Sequence, residues 1–252
     1  MARLGHGIAA VSGRNLEIRG LRAGYGTRVI IEEISLALEA GEWFALMGPN
    51  GSGKTTLLDC VVGRLAVARG DVRIAGCSLS EDPLGAKRQL GYACAPESLP
   101  GLLTARQCLE VHAGAKSLST VDAELLQLAD ELQFLPYLES FVDTLSLGTR
   151  QKLSILLCLL GDPKLIVLDE AFNALDPRSA LVLKRHLRLR LERSGAAVLM
   201  ATHALDIVEH HADRAALLMD GRIQREWRQP EIAELRLKGA GFEAALAQSM
   251  PQ

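Results

Sequence analysis

Hydrophobic positions follow two different periods along the chain. Short apolar or alternating segments come first. Leu16–Arg19, Arg28–Ile31, Ser35–Leu38 and Glu42–Met47 read as strands, with Gly24, Gly26 and Gly41 punctuating them. Asp71–Ile74 reads as another short strand. From Thr104 to about Tyr137 the pattern turns helical, with Leu125, Leu128, Ala129 and Leu132 at helical spacing. Beyond Thr149, helices and strands alternate. Thr149–Leu160 predicts a helix, Leu165–Asp169 a buried strand, Pro177–Ser194 a long helix and Ala197–Thr202 a second buried strand. Ala204–His210 predicts a short helix, and Arg214–Met219 and Arg222–Glu226 close the pattern as strands. Such alternation implies an α/β fold, a mostly parallel sheet with helices on its faces. Residues 1–14 read as a leader and 15–228 as the folded unit, with a helical subdomain over about 100–160. Residues 229–252 read as a helical, mostly polar tail.

Bulk properties narrow the class. Hydrophobic residues make up 48% of 252 positions, ample for a core, and the net charge is −2, so no global field recruits nucleic acid. The denser basic stretch Lys184–Arg193 alternates with leucine and reads as the wet face of a helix. The best uncharged apolar run, Leu153–Leu160, falls far short of the ~18–20 residues that span a bilayer. The first residues lack the apolar core of a signal peptide. A soluble, cytoplasmic protein is expected. The five cysteines show no metal-ligand spacing and read as buried free thiols of a reducing compartment.

One nonamer carries most of the chemistry: Gly48-Pro49-Asn50-Gly51-Ser52-Gly53-Lys54-Thr55-Thr56. It fits the phosphate-loop pattern, entered by a short buried strand and left by a helix. Its glycines let successive N–H groups face one concavity, and the helix N-terminus adds partial positive charge. Lys54 supplies a full charge for the β- and γ-phosphates, and Thr55 a hydroxyl for Mg²⁺. The apolar strand Leu165–Leu168 ends in Asp169 and Glu170, at the edge where open α/β sheets bind ligands. Asp169 suits a hydrated Mg²⁺, and Glu170 can take a proton from an attacking water. Ser146 and Gly148 open another helix, a second possible anion cradle, although an ordinary serine N-cap reads the same way.

With these motifs in this order, the chain resembles the nucleotide-binding subunit of an ATP-binding cassette (ABC) transporter, from about Leu16 to Glu226. Gly48–Thr56 matches the Walker A loop and Leu145–Thr149 the signature motif. Leu165–Asp169 matches Walker B, followed by Glu170 as the catalytic glutamate. Ala174-Leu175-Asp176 matches the D-loop, and His203 stands at the switch histidine. Tyr25 lies where the family places an aromatic on adenine; a core aromatic at a strand end is the plainer alternative. The resemblance implies a phosphate-loop NTPase core, an N-terminal antiparallel β subdomain and an α-helical subdomain. It also implies ATP and Mg²⁺ as cofactors and a head-to-tail dimer, with an identical second subunit favoured. Each ATP would lie between Lys54 of one copy and Ser146 and Gly148 of the other. A separate transmembrane permease, docked on Thr104–Tyr137 at the cytoplasmic face, completes the implied transporter.

The match has gaps. The signature reads Leu-Ser-Leu-Gly-Thr against the family's Leu-Ser-Gly-Gly-Gln, so Leu147 and Thr149 are departures. The family's glutamine after the strand at Gly91 falls on Ala95 by one alignment and on Glu97 by another. Glu97 would offer an oxygen to the metal; a solvated loop acid is the alternative. Such substitutions resemble exporter-type members. A soluble ABC ATPase for assembly or repair, or a low-turnover nucleotide-dependent regulator, are the competing functions. Glu170 argues against the regulator, because a degenerate site would lose that acid first.

Overall fold

The computed structural model describes residues 13–237 and Ala245. The expected leader lies outside these except for Gly13 and Arg14, and so does the tail beyond Leu237, apart from Ala245. The chain opens with β1 (Arg14–Tyr25), β2 (Arg28–Glu39) and β3 (Trp43–Met47), then α1 (Lys54–Val61). β4 (Arg69–Ile74), β5 (Cys77–Ser78), α2 (Pro83–Arg88) and β6 (Leu90–Ala93) follow. Three helices come next, α3 (Ala105–Ala115), α4 (Ala123–Glu131) and α5 (Leu147–Leu159). The last third alternates: β7 (Leu165–Asp169), α6 (Pro177–Ser194), β8 (Ala197–Ala201), α7 (Leu205–His211), β9 (Arg214–Met219), β10 (Arg222–Arg228) and α8 (Gln229–Leu237).

Two sheets form. The larger has the order β10-β9-β3-β8-β7-β6, and every pairing but β10 with β9 is parallel. The smaller, β2-β1-β4-β5, is antiparallel. The α/β class expected from the alternation is therefore the observed one. Successive side chains of the central strands enter two different cores, as the pleat requires. Trp43, Ala45, Met47, Ile166, Leu168, Val198 and Met200 join the core shared with the helices. Phe44, Leu46, Leu165, Val167, Ala197 and Leu199 join the core beneath the smaller sheet and α1. Burial on both faces is why these strands read as continuous apolar runs.

Local chemistry sets the element ends. Thr104 and Gln107 make a reciprocal capping box that starts α3. Asp122 accepts from Leu125 N–H at 2.7 Å and starts α4, so the helical stretch is two helices with a break around Ser117. The two strands expected at Arg28–Ile31 and Ser35–Leu38 are one, β2. Between the two expected segments Glu32-Glu33 forms a bulge, with Glu33 at φ 54°, where pairing passes from Leu21–Ile34 to Ala23–Ile31. The wet face expected at Lys184–Arg193 is in part interior. Arg190 is 3% exposed and donates to Leu159 O at 2.8 Å and to His186 Nε2 at 3.0 Å. The cause is α4, which covers that side of α6 and supplies Glu131 to Arg185. Cys60, Cys108 and Cys158 are buried, Cys77 and Cys94 half-buried, and all five are free thiols. Burial pushes the Cys158 thiol up to about 12.

Candidate active site

β3 delivers the chain to the phosphate loop. A Cβ on Gly48 would lie 2.1 Å from Leu218 O, so only glycine lets the loop leave the sheet so close to β9. Gly53 precedes α1 at φ 106°, a left-handed conformation that aims the first helical N–H groups into the loop. No side chain caps that helix, and the buried Ser52 Oγ inside the loop has no hydrogen-bond partner. Uncommitted donors lining the curl of the loop fit a phosphate chain. Lys54 Nζ donates to its own loop, to Gly48 O at 2.7 Å and Pro49 O at 3.2 Å. Burial lowers the Lys54 pKa, and the nearby Glu170 and Asp169 carboxylates oppose that shift.

Strand order brings the acids to the loop. β7 and β3 flank β8, all three parallel, so their C-terminal ends share one edge. There Thr55 Oγ1 donates to Asp169 Oδ2 at 3.1 Å. Burial raises the Asp169 pKa and the adjacent Glu170 adds to it, while the Thr55 bond opposes both. A hydroxyl and a desolvated carboxylate side by side are an oxygen donor set suited to a hard divalent cation, and these two residues would hold it. Glu170 leaves β7 at φ 49°, its N–H bound to Ala201 O at 3.1 Å. Asn173 Nδ2 donates to Glu170 Oε2 at 3.1 Å. The other oxygen, Oε1, is buried, accepts no hydrogen bond and lies 3.5 Å from His203 Nε2. One oxygen is thus anchored and one left with free lone pairs.

These groups line a cleft of about 690 Å³. Its walls include Tyr25, Asn50, Gly51, Gly53, Lys54, Thr55, Thr56, Asp169, Glu170 and His203, residues the sequence singles out. Three wall residues escaped that reading: Arg28, Ile30 and Asn173. Arg28 and Ile30 alternate on the strand after Tyr25, and Asn173 lies one turn after Glu170, so spacing offered a signal for each.

A family model described as ABC transporter matches residues 31–173, more than half of the chain. The chain belongs to the ABC transporter family. The ATP-binding protein YdbJ of Bacillus subtilis (strain 168), an uncharacterised ABC transporter protein, is 35% identical over 240 residues, 94% of this chain and 75% of its own. The Nod factor export ATP-binding protein I of Rhizobium johnstonii is 30% identical, over 87% of this chain and 71% of its own. A solved ATP-binding subunit of an ABC transporter superposes with a TM-score of 0.84 at 30% identity, over 93% and 98% of the two chains. The chain is an ABC ATPase cassette.

Other expected site residues of this ABC cassette stand apart from the cleft. Ser146 is exposed and caps α5, and Gly148 lies in that helix's first turn; neither lines the cleft. A Cβ on Gly148 would lie 2.8 Å from Ala174 O, so the signature turn packs against the D-loop. Asp176 caps α6 through Ser179 N–H at 2.9 Å and Ser179 Oγ at 2.6 Å. Those two bonds hold its carboxyl well below the usual range, helped by Lys152 at 3.2 Å. Glu97 and Ala95, the two candidates for the family's glutamine, are both exposed after β6 and do not line the cleft.

Proposed function

We propose that this ABC ATPase binds and hydrolyses ATP as a head-to-tail dimer and drives a separate membrane permease in the direction of export. The observation that carries the dimer is the incompleteness of the cleft. It gathers the loop, Lys54, Thr55, Asp169, Glu170 and His203, while the exposed Ser146 and the half-buried Gly148 lie elsewhere. A two-fold pair would bring the exposed signature turn of one copy over the loop of the other, twice and equivalently. Among the described residues no helix is long and apolar enough to cross a membrane, and in this reading the permease supplies the spanning part. Export rests on the relative whose printed name is an export ATP-binding protein. In this reading the protein works at the cytoplasmic face of the membrane.

The chemistry follows from the side chains. Lys54 exchanges its loop carbonyls for phosphate oxygens. Tyr25 and Ile30 offer flat and apolar surface for the base and sugar. Glu170 Oε1 accepts a proton from water as the water oxygen attacks the γ-phosphorus. The bond from that phosphorus to the bridging oxygen breaks, leaving ADP and phosphate. His203 and Lys54 steady the charge on the transferring group. Mg²⁺ held by Thr55 and Asp169 would supply charge neutralisation at the phosphates.

Trans complementation tests the dimer. Lys54→Ala and Ser146→Arg should each abolish hydrolysis alone. Mixed, they should regain up to about one quarter of the native rate, because half the dimers are hybrid and half the hybrid sites intact. A mixture as dead as its parts would remove the head-to-tail arrangement. Purification from native cells in mild detergent should yield a stoichiometric polytopic membrane protein, and recovery with soluble partners alone would remove the permease.

A further inference from the structure

The cleft has a base end as well as a phosphate end, and a cation stands at the base end. Tyr25 and Arg28 close the hairpin between β1 and β2 and are direct cross-strand partners. Residues opposite each other in a ladder put their side chains on one face, and so do residues two apart on a strand. Tyr25, Arg28 and Ile30 accordingly line the cleft together. Ile30 lies against the phosphate loop, since a Cβ on Gly53 would be 3.3 Å from Ile30 Cγ2. Arg28 is one repeat farther out, about 7 Å along the strand, beside Tyr25. Among the described residues its exposed guanidinium has no ion-pair or hydrogen-bond partner. On its other side it borders a groove with Arg22 and Arg69, and the described residues that line this groove include no acid to draw it out of the cleft. The carboxylates of the cleft, Asp169 and Glu170, lie with Thr55, Asn173 and His203 at the phosphate end.

We propose that Arg28 is a specificity-determining residue for the nucleobase. Its guanidinium donates to O6 and N7 of a guanine stacked on Tyr25, so the cleft takes GTP as well as ATP. Arginine has five N–H donors and no acceptor. Guanine presents two adjacent acceptors, O6 and N7, which fit that planar fork. Adenine presents N7 beside the N6 amine, a donor that meets a donor, so one half of the fork is left unpaired. A carboxylate at this end would reverse the preference by accepting from N6, but the acids of the lining stand at the other end. The inference rests on the nucleotide-cleft reading and deepens it by naming a second substrate. GTP turnover takes the same course as that of ATP. Water attacks the γ-phosphorus, its proton passes to Glu170, the bond to the bridging oxygen breaks, and GDP and phosphate leave.

The test titrates the full chain with ADP, GDP and IDP by calorimetry. These diphosphates undergo no turnover, and IDP carries O6 and N7 without the 2-amino group of guanine. The native chain should bind GDP and IDP at least as tightly as ADP, and should release phosphate from GTP. Arg28→Ala should weaken GDP and IDP about fivefold and ADP about twofold at most, a modest split because water competes at an exposed site. Equal weakening of all three would mean that Arg28 meets the phosphates, and no weakening that it meets nothing. Either result overturns the proposal and leaves the cleft reading standing, as does a native chain that binds ADP but not GDP. Lys54→Ala tests the cleft reading itself and should weaken all three alike. If it weakens none, the cleft is not the nucleotide site and this inference falls with that reading. Should Arg28→Ala lower the melting temperature, Arg28→Met keeps the stem without the donors. It must show the same split, or the proposal falls.

Discussion

Lys54 and Glu170 are each half satisfied by their own chain. The lysine is tied to two loop carbonyls, and the glutamate is anchored by Asn173 through one oxygen only. Lys54→Ala should therefore lower ATP affinity by about a hundredfold or more, measured by titration of a fluorescent nucleotide, since it removes the cation buried beneath the phosphates. Glu170→Gln should leave affinity close to native and slow turnover by about 10²–10⁴-fold, the usual size of a lost general base. Normal hydrolysis in that variant would place the base elsewhere. His186 gives a separate pH signature. Burial, reinforced by Arg190, depresses its pKa from 6.5 to about 4. The unfolded chain then binds the proton more readily, so stability is full above about pH 6.5 and falls as pH drops toward 4. The loss is on the order of 3 kcal/mol, and His186→Gln should flatten that part of a denaturation-against-pH curve.

At the scale of elements, close contacts lock the site's supports together. A Cβ on Gly91 in β6 would lie 2.0 Å from Cys158 O in α5, backbone that cannot step aside. Gly91→Ala should cost about 1–3 kcal/mol and lower the melting temperature, with the fold retained. Lys152 ties three elements at once. Its ammonium donates to Leu132 O at the end of α4 at 3.0 Å and pairs with Asp176 at the start of α6 at 3.2 Å. The lysine side chain is 14% exposed and the aspartate 52%, so the pair is partly screened by solvent. Lys152→Ala should loosen the D-loop from the signature helix and reduce hydrolysis severalfold at unchanged ATP affinity. Loss of nucleotide binding instead would mean that Lys152 supports the cleft itself.

For the molecule as a whole, the two cores divide the labour. The core under the smaller sheet holds the phosphate loop and α1, while the core on the other face holds α3, α4 and α5 with the signature turn. The signature turn does not line the cleft, and a complete site takes two molecules in the proposed reading. Hydrolysis by the isolated protein should then rise with the square of protein concentration at low concentration, read in a steady-state assay. Strict proportionality throughout that range would argue for a site complete in one chain.

Contiguity separates what could be read in the sequence from what could not. The phosphate loop is nine neighbouring residues between a strand and a helix, so local chemistry alone gives its position and its donors. The buried parallel strands were legible because burial on both faces writes an uninterrupted apolar run. The bulge that joins β2 into one strand was not, because two glutamates look like a break until cross-strand pairing absorbs them. Arg190 was not, because only the packing of α4 on α6 turns an apparent wet face inward. The meeting of Thr55 with Asp169, and of Glu170 with Asn173 and His203, depends on β3, β8 and β7 lying side by side and on a left-handed backbone at Glu170. The sequence by itself determined the family, the loop and the residue types of the chemistry, since these rest on neighbours along the chain. Which of those residues touch, which oxygen is left free and which face stays open were decided by tertiary structure, because each depends on groups far apart in sequence sharing one desolvated edge.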